Sequence, residues 1–162
     1  MLRKLITALK KNNLTVSVAE SCTGGYTSYL LTKIPGSSKV FKSGVVVYSL
    51  DAKSKLFGIS RTLLKETEGV SRKTACLLSQ KVRKKFNTDI GASVVGFAGP
   101  YAKKGIRKGT VFLSVSYSRK TIVKKIIIDA PRDTVRRKAA KSLIELIYRQ
   151  VTGFSRTKKI IH

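Results

Sequence analysis

Short apolar runs rich in β-branched residues alternate along this chain with segments whose apolar residues recur at helical spacing. Strands that are separated by a helix pair in parallel within one sheet, whereas two strands about three residues apart form a hairpin. Helices are predicted over 2–12, 25–33 and 51–57, from Ser71 to Phe86 and from Asp133 to Val151, and strands over 14–19, 40–49, 90–97, 109–117 and 121–128. The pattern predicts a single-domain, layered α/β sandwich with a mixed, mainly parallel sheet and a late β-hairpin.

The size of the chain fits one domain with a substantial core. It has 162 residues, of which 42% are hydrophobic, and no apolar stretch approaches the length that spans a bilayer, about 20 residues. The first residues do not have the pattern of a secretory signal. Two cysteines, Cys22 and Cys76, give neither a disulfide framework nor metal-ligand spacing. We expect a cytoplasmic protein with one domain over 1–152 and a flexible basic tail over 153–162.

The chain is strongly basic. Its 34 lysines and arginines and its 8 aspartates and glutamates give a formal net charge of +26. A basic surface can bind the phosphates of a nucleic acid or attract an anionic substrate. However, the basic residues are spread along the whole chain, and no basic run is interleaved with aromatic residues suited to base stacking. Solvated basic faces are therefore favoured over binding to nucleic acid, which stays an alternative.

The segment from Ser17 to Thr27 has the sequence S-V-A-E-S-C-T-G-G-Y-T and joins a predicted strand to a predicted helix. Such a turn exposes side chains at the carboxyl edge of a sheet and directs backbone N–H groups towards an anion. Ser21 is a candidate nucleophile, with a helix N-cap as the alternative. Cys22 is a second candidate, although a buried cysteine that packs as a small hydrophobic residue is the favoured interpretation.

The chain has a single histidine, His162, at its last position. A serine–histidine–aspartate triad and a histidine-ligated metal site are therefore disfavoured. No glycine-rich nucleotide-binding motif follows a predicted strand. A base for Ser21 must then be a lysine or a tyrosine, and Tyr48 and Lys53 lie at the end of the second predicted strand, at the same expected edge of the sheet. The alternative for Lys53 is one more solvated lysine.

Two glycine turns are candidates for phosphate binding. Thr23, Gly24 and Gly25 combine a hydroxyl group with backbone N–H groups at the start of a predicted helix. A second turn, G-F-A-G-P over 96–100, follows another predicted strand, where it can form the opposite wall of the same site. Ordinary turn formation is the alternative for this second turn.

Together these segments resemble the carboxy-terminal domain of the competence/damage-inducible CinA family, which includes stand-alone nicotinamide-nucleotide amidohydrolases. The resemblance extends over residues 2–151, and its most specific part is A-E-S-C-T-G-G over 19–25 followed by Y-S…A-K over 48–53. Further matching segments are P-G-S-S over 35–38, G-V-V-V over 44–47, V-S at 70–71, G-F-A-G-P over 96–100, G-T-V over 109–111, and the arginines Arg132, Arg136 and Arg137.

The resemblance implies hydrolysis of the carboxamide of nicotinamide mononucleotide, with no cofactor and no metal. It implies Ser21 as the nucleophile, Lys53 as the base that later protonates the departing ammonia, and Tyr48 as a residue that assists proton transfer or orients the pair. Substrate-binding positions by the same resemblance are Glu20, Cys22, Thr23, Gly24, Gly25, Gly96, Ala98, Gly99 and Arg132, with a structural hydrogen-bonding role as the alternative for Glu20. The expected partners are a pyridine mononucleotide and further copies of the chain, with no membrane.

The sequence departs from the family pattern in loops that are expected to bind substrate. Leu50 replaces an asparagine, Val95 replaces a threonine, and the run 101–104 replaces a glycine-rich one. Ile106-Arg107 stands where Lys-Pro usually precedes the late strand. The expected nucleophile and base are unchanged. An alternative is therefore a family member that binds a nucleotide without turning it over.

Overall fold

The computed structural model describes residues 1–103 and 105–158, which form one sheet with helices on both faces. The helices are α1 (Leu2–Lys11), α2 (Tyr26–Thr32), α3 (Leu50–Phe57), α4 (Arg61–Thr67), α5 (Arg72–Lys85) and α6 (Arg132–Lys158). The strands are β1 (Val16–Glu20), β2 (Phe41–Val46), β3 (Ile90–Gly96), β4 (Thr110–Tyr117) and β5 (Lys120–Ile127).

The sheet has the strand order β2-β1-β3-β4-β5. Strand β1 pairs in parallel with both β2 and β3, while β4 is antiparallel to β3 and to β5, so four of the five strands point the same way. Strands β4 and β5 form the expected hairpin. The predicted fold class is confirmed. Since β1, β2 and β3 are parallel, the segments that follow them meet at one carboxyl edge.

Two apolar clusters cover the two faces of the sheet. One packs α1, α2 and α6 against Val16 and Val18 of β1, and the other packs α3, α4 and α5 against Ala19 of the same strand. Consecutive strand residues point to opposite faces, and every residue of β1 is buried. The strand that leads into the candidate site is therefore held by the core on both sides.

Several element boundaries differ from the predicted ones. Helix α4 was not predicted, and the strand predicted over 40–49 ends at Val46. Helix α6 begins at Arg132, which puts Asp133 inside its first turn, where the Oδ2 atom of Asp133 lies 2.7 Å from Nε of Arg137. The same helix continues to Lys158, past the predicted domain boundary at 152, and residues 159–162 of the predicted tail lie outside the described residues.

Ser71 caps α5, because its hydroxyl oxygen accepts a hydrogen bond from the Thr74 N–H at 3.0 Å. Within the described residues, no helix combines the length and the apolar character needed to span a bilayer.

Candidate active site

Ser21 directly follows β1, at the carboxyl end of the strand, and its side chain is only 6% exposed. The chain then turns sharply through Gly24 and Gly25, whose φ angles of 58° and 92° lie in the left-handed region that favours glycine. Helix α2 begins at Tyr26 and has Gly25 as its N-cap residue. Ser21 therefore does not cap this helix, which removes the structural alternative for its hydroxyl group.

Lys53 lies beside Ser21, although 32 positions separate them in the sequence. Lys53 is 2% exposed as a residue. Its Nζ lies within hydrogen-bonding distance of the Ser21 hydroxyl oxygen at 3.1 Å, the Val47 carbonyl oxygen at 2.8 Å and the Tyr48 carbonyl oxygen at 3.2 Å. Helix α3, whose N-terminus is capped by Ser49, carries the lysine into this position. The structure thus brings together the predicted serine and lysine within hydrogen-bonding distance.

The environment of Lys53 makes the neutral amine accessible near pH 8. Burial lowers the pKa of Lys53 to about 8, because the charged form loses its hydration. A neutral amine has two N–H groups and one lone pair. The carbonyl oxygens of Val47 and Tyr48 can accept one hydrogen bond from each N–H group. In the neutral form the lone pair is left for the third neighbour, the Ser21 hydroxyl group, which would then donate to Nζ as to a general base.

Cys22 is buried in the apolar cluster between the sheet and α6. Burial raises the pKa of its thiol to about 12, so the thiol stays protonated near neutral pH. The structure therefore does not support a nucleophilic thiolate at Cys22. It supports the interpretation of Cys22 as a small buried hydrophobic residue.

Glu20, the last residue of β1, is completely buried and accepts four hydrogen bonds from one segment. Its Oε2 atom accepts from the Thr23 hydroxyl group at 2.6 Å and from the Thr27 N–H at 3.0 Å. Its Oε1 atom accepts from the N–H and the hydroxyl group of Ser28, at 2.8 Å and 2.6 Å. This carboxylate therefore caps α2, whose N-cap glycine has no side chain for that purpose.

These contacts correct two expected substrate contacts. The Thr23 side chain is completely buried, and its proton is donated to Glu20, so it cannot donate to a phosphate in this conformation. Glu20 itself is enclosed and has its two oxygen atoms occupied. The structural alternative for Glu20 is the one that the geometry supports, and the same holds for the Thr23 side chain.

Tyr48 and Arg132 form the outer part of the site. Tyr48 is 60% exposed, and its hydroxyl oxygen accepts a hydrogen bond from Arg132 Nη2 at 2.8 Å. Arg132 Nη1 donates to the Gly99 carbonyl oxygen. Arg132, at the start of α6, thus joins the segment after β2 to the segment after β3. Tyr48 contacts Lys53 through its backbone carbonyl group, while its phenol group meets the arginine.

The two other predicted residues of the opposite wall face the interior. Ala98 is buried in the cluster on the α6 side of the sheet. A Cβ atom at Gly96 would lie 2.8 Å from the Thr110 carbonyl oxygen and 2.8 Å from the Val111 side chain, so close packing against β4 requires this glycine. Of the three predicted residues in this turn, Gly99 is the one that contacts another site residue.

Two residues without a predicted site role also border the site. Arg136 donates to the Thr23 carbonyl oxygen at 3.2 Å, and its guanidinium group lies 3.1 Å from the position of a Cβ atom at Gly24. Gly69, with φ at 68°, leaves room for the Lys53 methylenes, because a Cβ atom there would lie 3.3 Å from Cε. Arg136 is one of the arginines that match the family pattern. Gly69 follows α4, and a prediction of α4 from the sequence would have identified Gly69 as the glycine that ends this helix.

Among the described residues, no group of three or more histidine, cysteine, aspartate or glutamate side chains is arranged so that it could hold a metal ion. The single histidine, His162, lies outside the described residues.

Comparisons with known proteins agree with this fold. A CinA-like protein of Kosmotoga olearia is 36% identical over 146 residues, which cover 90% of this chain and 35% of that protein. The chain spans about a third of the length of the curated relatives that it matches.

Solved structures of similar length resemble the whole domain. The competence or damage-inducible protein of Enterobacter asburiae has a TM-score of 0.88 at 26% identity, covering 93% of this chain and 95% of that one. The competence/damage inducible protein of Agrobacterium tumefaciens has a TM-score of 0.85 at 30% identity, covering 90% of each chain. The model of the CinA C-terminal domain matches residues 1–151, and the chain therefore belongs to the CinA C-terminal domain family.

Proposed function

We propose that this chain is an amidohydrolase that converts nicotinamide mononucleotide and water to nicotinic acid mononucleotide and ammonia. The observation that carries the proposal is the buried contact of 3.1 Å between Lys53 Nζ and Ser21 Oγ, with the pKa of Lys53 lowered to about 8. A lysine activates a serine only where its amine is neutral near the working pH, and burial lowers the pKa of Lys53 towards that range.

In the first half of the proposed reaction, Ser21 Oγ attacks the carbonyl carbon of the carboxamide while its proton passes to Lys53 Nζ. The carbon–nitrogen bond then breaks, and Lys53 returns the proton to the leaving nitrogen, which departs as ammonia. The product of this half is an ester between Ser21 and the pyridine carbonyl group. Apart from Ser21, Lys53 Nζ contacts two backbone carbonyl groups, which hold this nitrogen atom in place. The same nitrogen atom therefore serves both proton transfers.

In the second half, a water molecule attacks the ester carbonyl carbon and gives its proton to Lys53. Breaking the ester bond returns a proton to Ser21 Oγ and releases the carboxylic acid. Backbone N–H groups of the turn after Ser21 are proposed to stabilise the oxyanion in both halves. The Gly24 N–H already donates to the Ser21 carbonyl oxygen at 3.0 Å. The oxyanion would therefore be bound by other N–H groups of the turn.

The negative phosphate of the substrate is proposed to lie against Arg132 and Arg136, on the side of the turn that faces α6. A guanidinium group has five N–H donors, so an arginine that holds one or two protein oxygens keeps further donors for a phosphate. The pyridine ring would then lie near the exposed face of Tyr48. Tyr48 is 60% exposed and its hydroxyl group is held by Arg132, and both observations support that assignment.

The test is ammonia release from nicotinamide mononucleotide by the purified chain, measured with and without a chelator. We expect release that the chelator does not change and that Ser21→Ala abolishes. Ser38→Ala is the matched control, since it removes an exposed serine hydroxyl group outside the candidate site. If the wild-type chain binds the nucleotide, as a shift in thermal unfolding, but releases no ammonia, the amidase proposal is wrong.

That last outcome would favour a second candidate, a family member that binds the nucleotide without hydrolysing it. The observation behind it is the location of the departures from the family pattern. Tyr101, in the segment after β3, is 87% exposed and replaces part of a glycine-rich run. The site can thus keep its serine and lysine while the wall that orients the carboxamide has changed.

A further inference from the structure

The buried carboxylate of Glu20 links the nucleophile turn to the first turn of α2. Each of its oxygen atoms accepts one backbone N–H and one side-chain hydroxyl group, all from residues 23–28. Ser21 is the next residue after Glu20, so the carboxylate is fixed to the chain immediately before the nucleophile. The contacts therefore close a loop around the Ser21–Gly25 turn.

The Glu20 contacts add to those that Arg136 and the backbone make within a turn that contains two glycines. Gly24 and Gly25 both have positive φ angles and no side chain that could pack to hold them. On the α2 side, three bonds attach Thr27 and Ser28 to the carboxylate. On the turn side, the Thr23 hydroxyl group provides the contact with Glu20, at 2.6 Å.

We propose that Glu20 is a positioning residue, which holds the Ser21–Gly25 turn in the conformation that directs Ser21 Oγ at Lys53. It acts through Thr23 and the α2 N-terminus and contacts neither the substrate nor the reacting atoms. The inference rests on the proposed function, since it assigns a role in the reactivity of Ser21. It extends that function to a residue for which the resemblance suggested substrate binding.

Direct replacement of Glu20 perturbs more than position. A glutamine in its place has one carbonyl oxygen and one NH₂ group, and each side of the carboxylate faces a backbone N–H. In either orientation, the NH₂ group would meet an N–H donor and leave it without an acceptor in the interior. Glu20→Gln is therefore expected to weaken folding as well as catalysis.

A matched pair of milder variants separates the two effects. Thr23→Val and Ser28→Ala each remove one hydroxyl group that donates to Glu20 at 2.6 Å. Ser28→Ala leaves the Ser28 N–H on the same oxygen, so α2 stays attached to Glu20. Thr23→Val removes the hydroxyl contact of the turn itself. A purely structural role of Glu20 predicts similar small losses from both variants, whereas a positioning role predicts unequal losses of Ser21 reactivity.

The experiment measures two quantities on the full chain, with thermal unfolding as the check on folding. The first is the rate at which a fluorophosphonate labels Ser21, followed by intact mass, and the second is kcat and KM for ammonia release. For Thr23→Val we expect both the labelling rate and kcat to fall by about ten- to a hundredfold with KM nearly unchanged, since misplaced reacting atoms lose rate. For Ser28→Ala we expect changes of less than about twofold in either quantity.

Equal changes in the two variants, or an unchanged labelling rate in folded Thr23→Val, would overturn the positioning role. The failure of the proposed function has a different signature. Wild-type chain that labels at Ser21 but releases no ammonia contradicts the substrate alone, and the labelling rates still decide the role of Glu20. Wild-type chain that neither labels nor releases ammonia contradicts both proposals.

Discussion

The two sides of the candidate site are held in place by different means. The enclosed half comprises four buried residues, one of which belongs to the apolar cluster on the α6 side: Ser21, Cys22, Thr23 and Lys53. The open wall, residues 97–103 and 105–108, includes the largely exposed Tyr101.

Part of the open wall is held by surface contacts. Its Arg107 lies 2.6 Å from Asp129, and both side chains are more than half exposed. An exposed ion pair of this kind stabilises a fold by about 0–1 kcal/mol, far less than a buried side chain does. The difference teaches that the reacting groups are fixed by the core, whereas the surface that contacts a ligand can change at small cost to stability. The departures from the family pattern at 101–104 and 106–107 lie on this open wall.

The largest effect is expected in the enclosed half, from Lys53→Met. Removal of the base should lower kcat by about 10²–10⁴-fold, the range that a positioned acid–base group supplies. Lys55→Met is the control, because it removes an equal charge from the same helix at a side chain that is 72% exposed and paired with Asp51. Steady-state ammonia release measures both variants. Equal losses in the two would show that general charge, rather than the enclosed lysine, determines the rate.

The pH dependence sharpens the same test. The wild-type rate should rise with pH and level off above about 8, because the base must be neutral, and the Lys53→Met chain should lack this rise. The pKa of Lys53 is about 8 when folded and has an ordinary value of 10.5, so between these values the unfolded chain binds the extra proton. The free energy of unfolding of the wild type should therefore increase, relative to Lys53→Met, as the pH rises across that window.

An intermediate effect is expected where the two sides meet. Arg132→Gln removes the guanidinium group that bridges the Tyr48 hydroxyl group and the Gly99 carbonyl oxygen. We expect KM to rise by about ten- to a hundredfold, since hydrogen bonds of a charged donor contribute about 1.5–3 kcal/mol, with a smaller change in kcat. Arg137→Gln, an exposed arginine paired with Asp133, is the control. A loss confined to kcat would mean that the open wall takes part in the chemistry.

The smallest effect is expected from Cys22→Ala, next to the nucleophile in the sequence. Its thiol is protonated and packed in the core, so kcat should stay within about twofold of wild type while the free energy of unfolding falls by about 1 kcal/mol. Activity and thermal unfolding of the same preparation measure the two quantities. A large loss of kcat with normal folding would assign the thiol a chemical role. It would then be wrong that Ser21 faces the site while Cys22 faces only the core.

Much of the enclosed half could be predicted from the sequence, because its residues lie in short motifs at strand ends. Parallel pairing of β1 and β2 was enough to bring Lys53 to the edge where Ser21 lies. The direction of the Glu20 and Thr23 side chains could not be predicted, since every residue of β1 is buried and its pattern does not distinguish inside from outside. Side-chain orientation within the turn depends on where the glycines bend the chain.

Long-range contacts and weakly amphipathic elements account for the other differences. Helix α4 has seven residues and buries only Leu64, so its helical pattern is short, although Ser60 and Gly69 carry ordinary end signals. The bridge from Arg132 to Tyr48 joins residues 84 positions apart, and no local pattern encodes it. The strand predicted over 40–49 ends early, and its last residues instead supply the carbonyl groups that hold Lys53.

The burial of β1 on both faces has a consequence for the behaviour of this chain on warming. Ser21 can leave its position only through an opening that disrupts the core, whereas the open wall can loosen by itself, since local openings begin where buried contacts are few. Temperature would then separate affinity from turnover. The affinity for a ligand would decrease over a temperature range in which the chemical step still accelerates. The reactivity of Ser21 would be lost only when the whole domain unfolds.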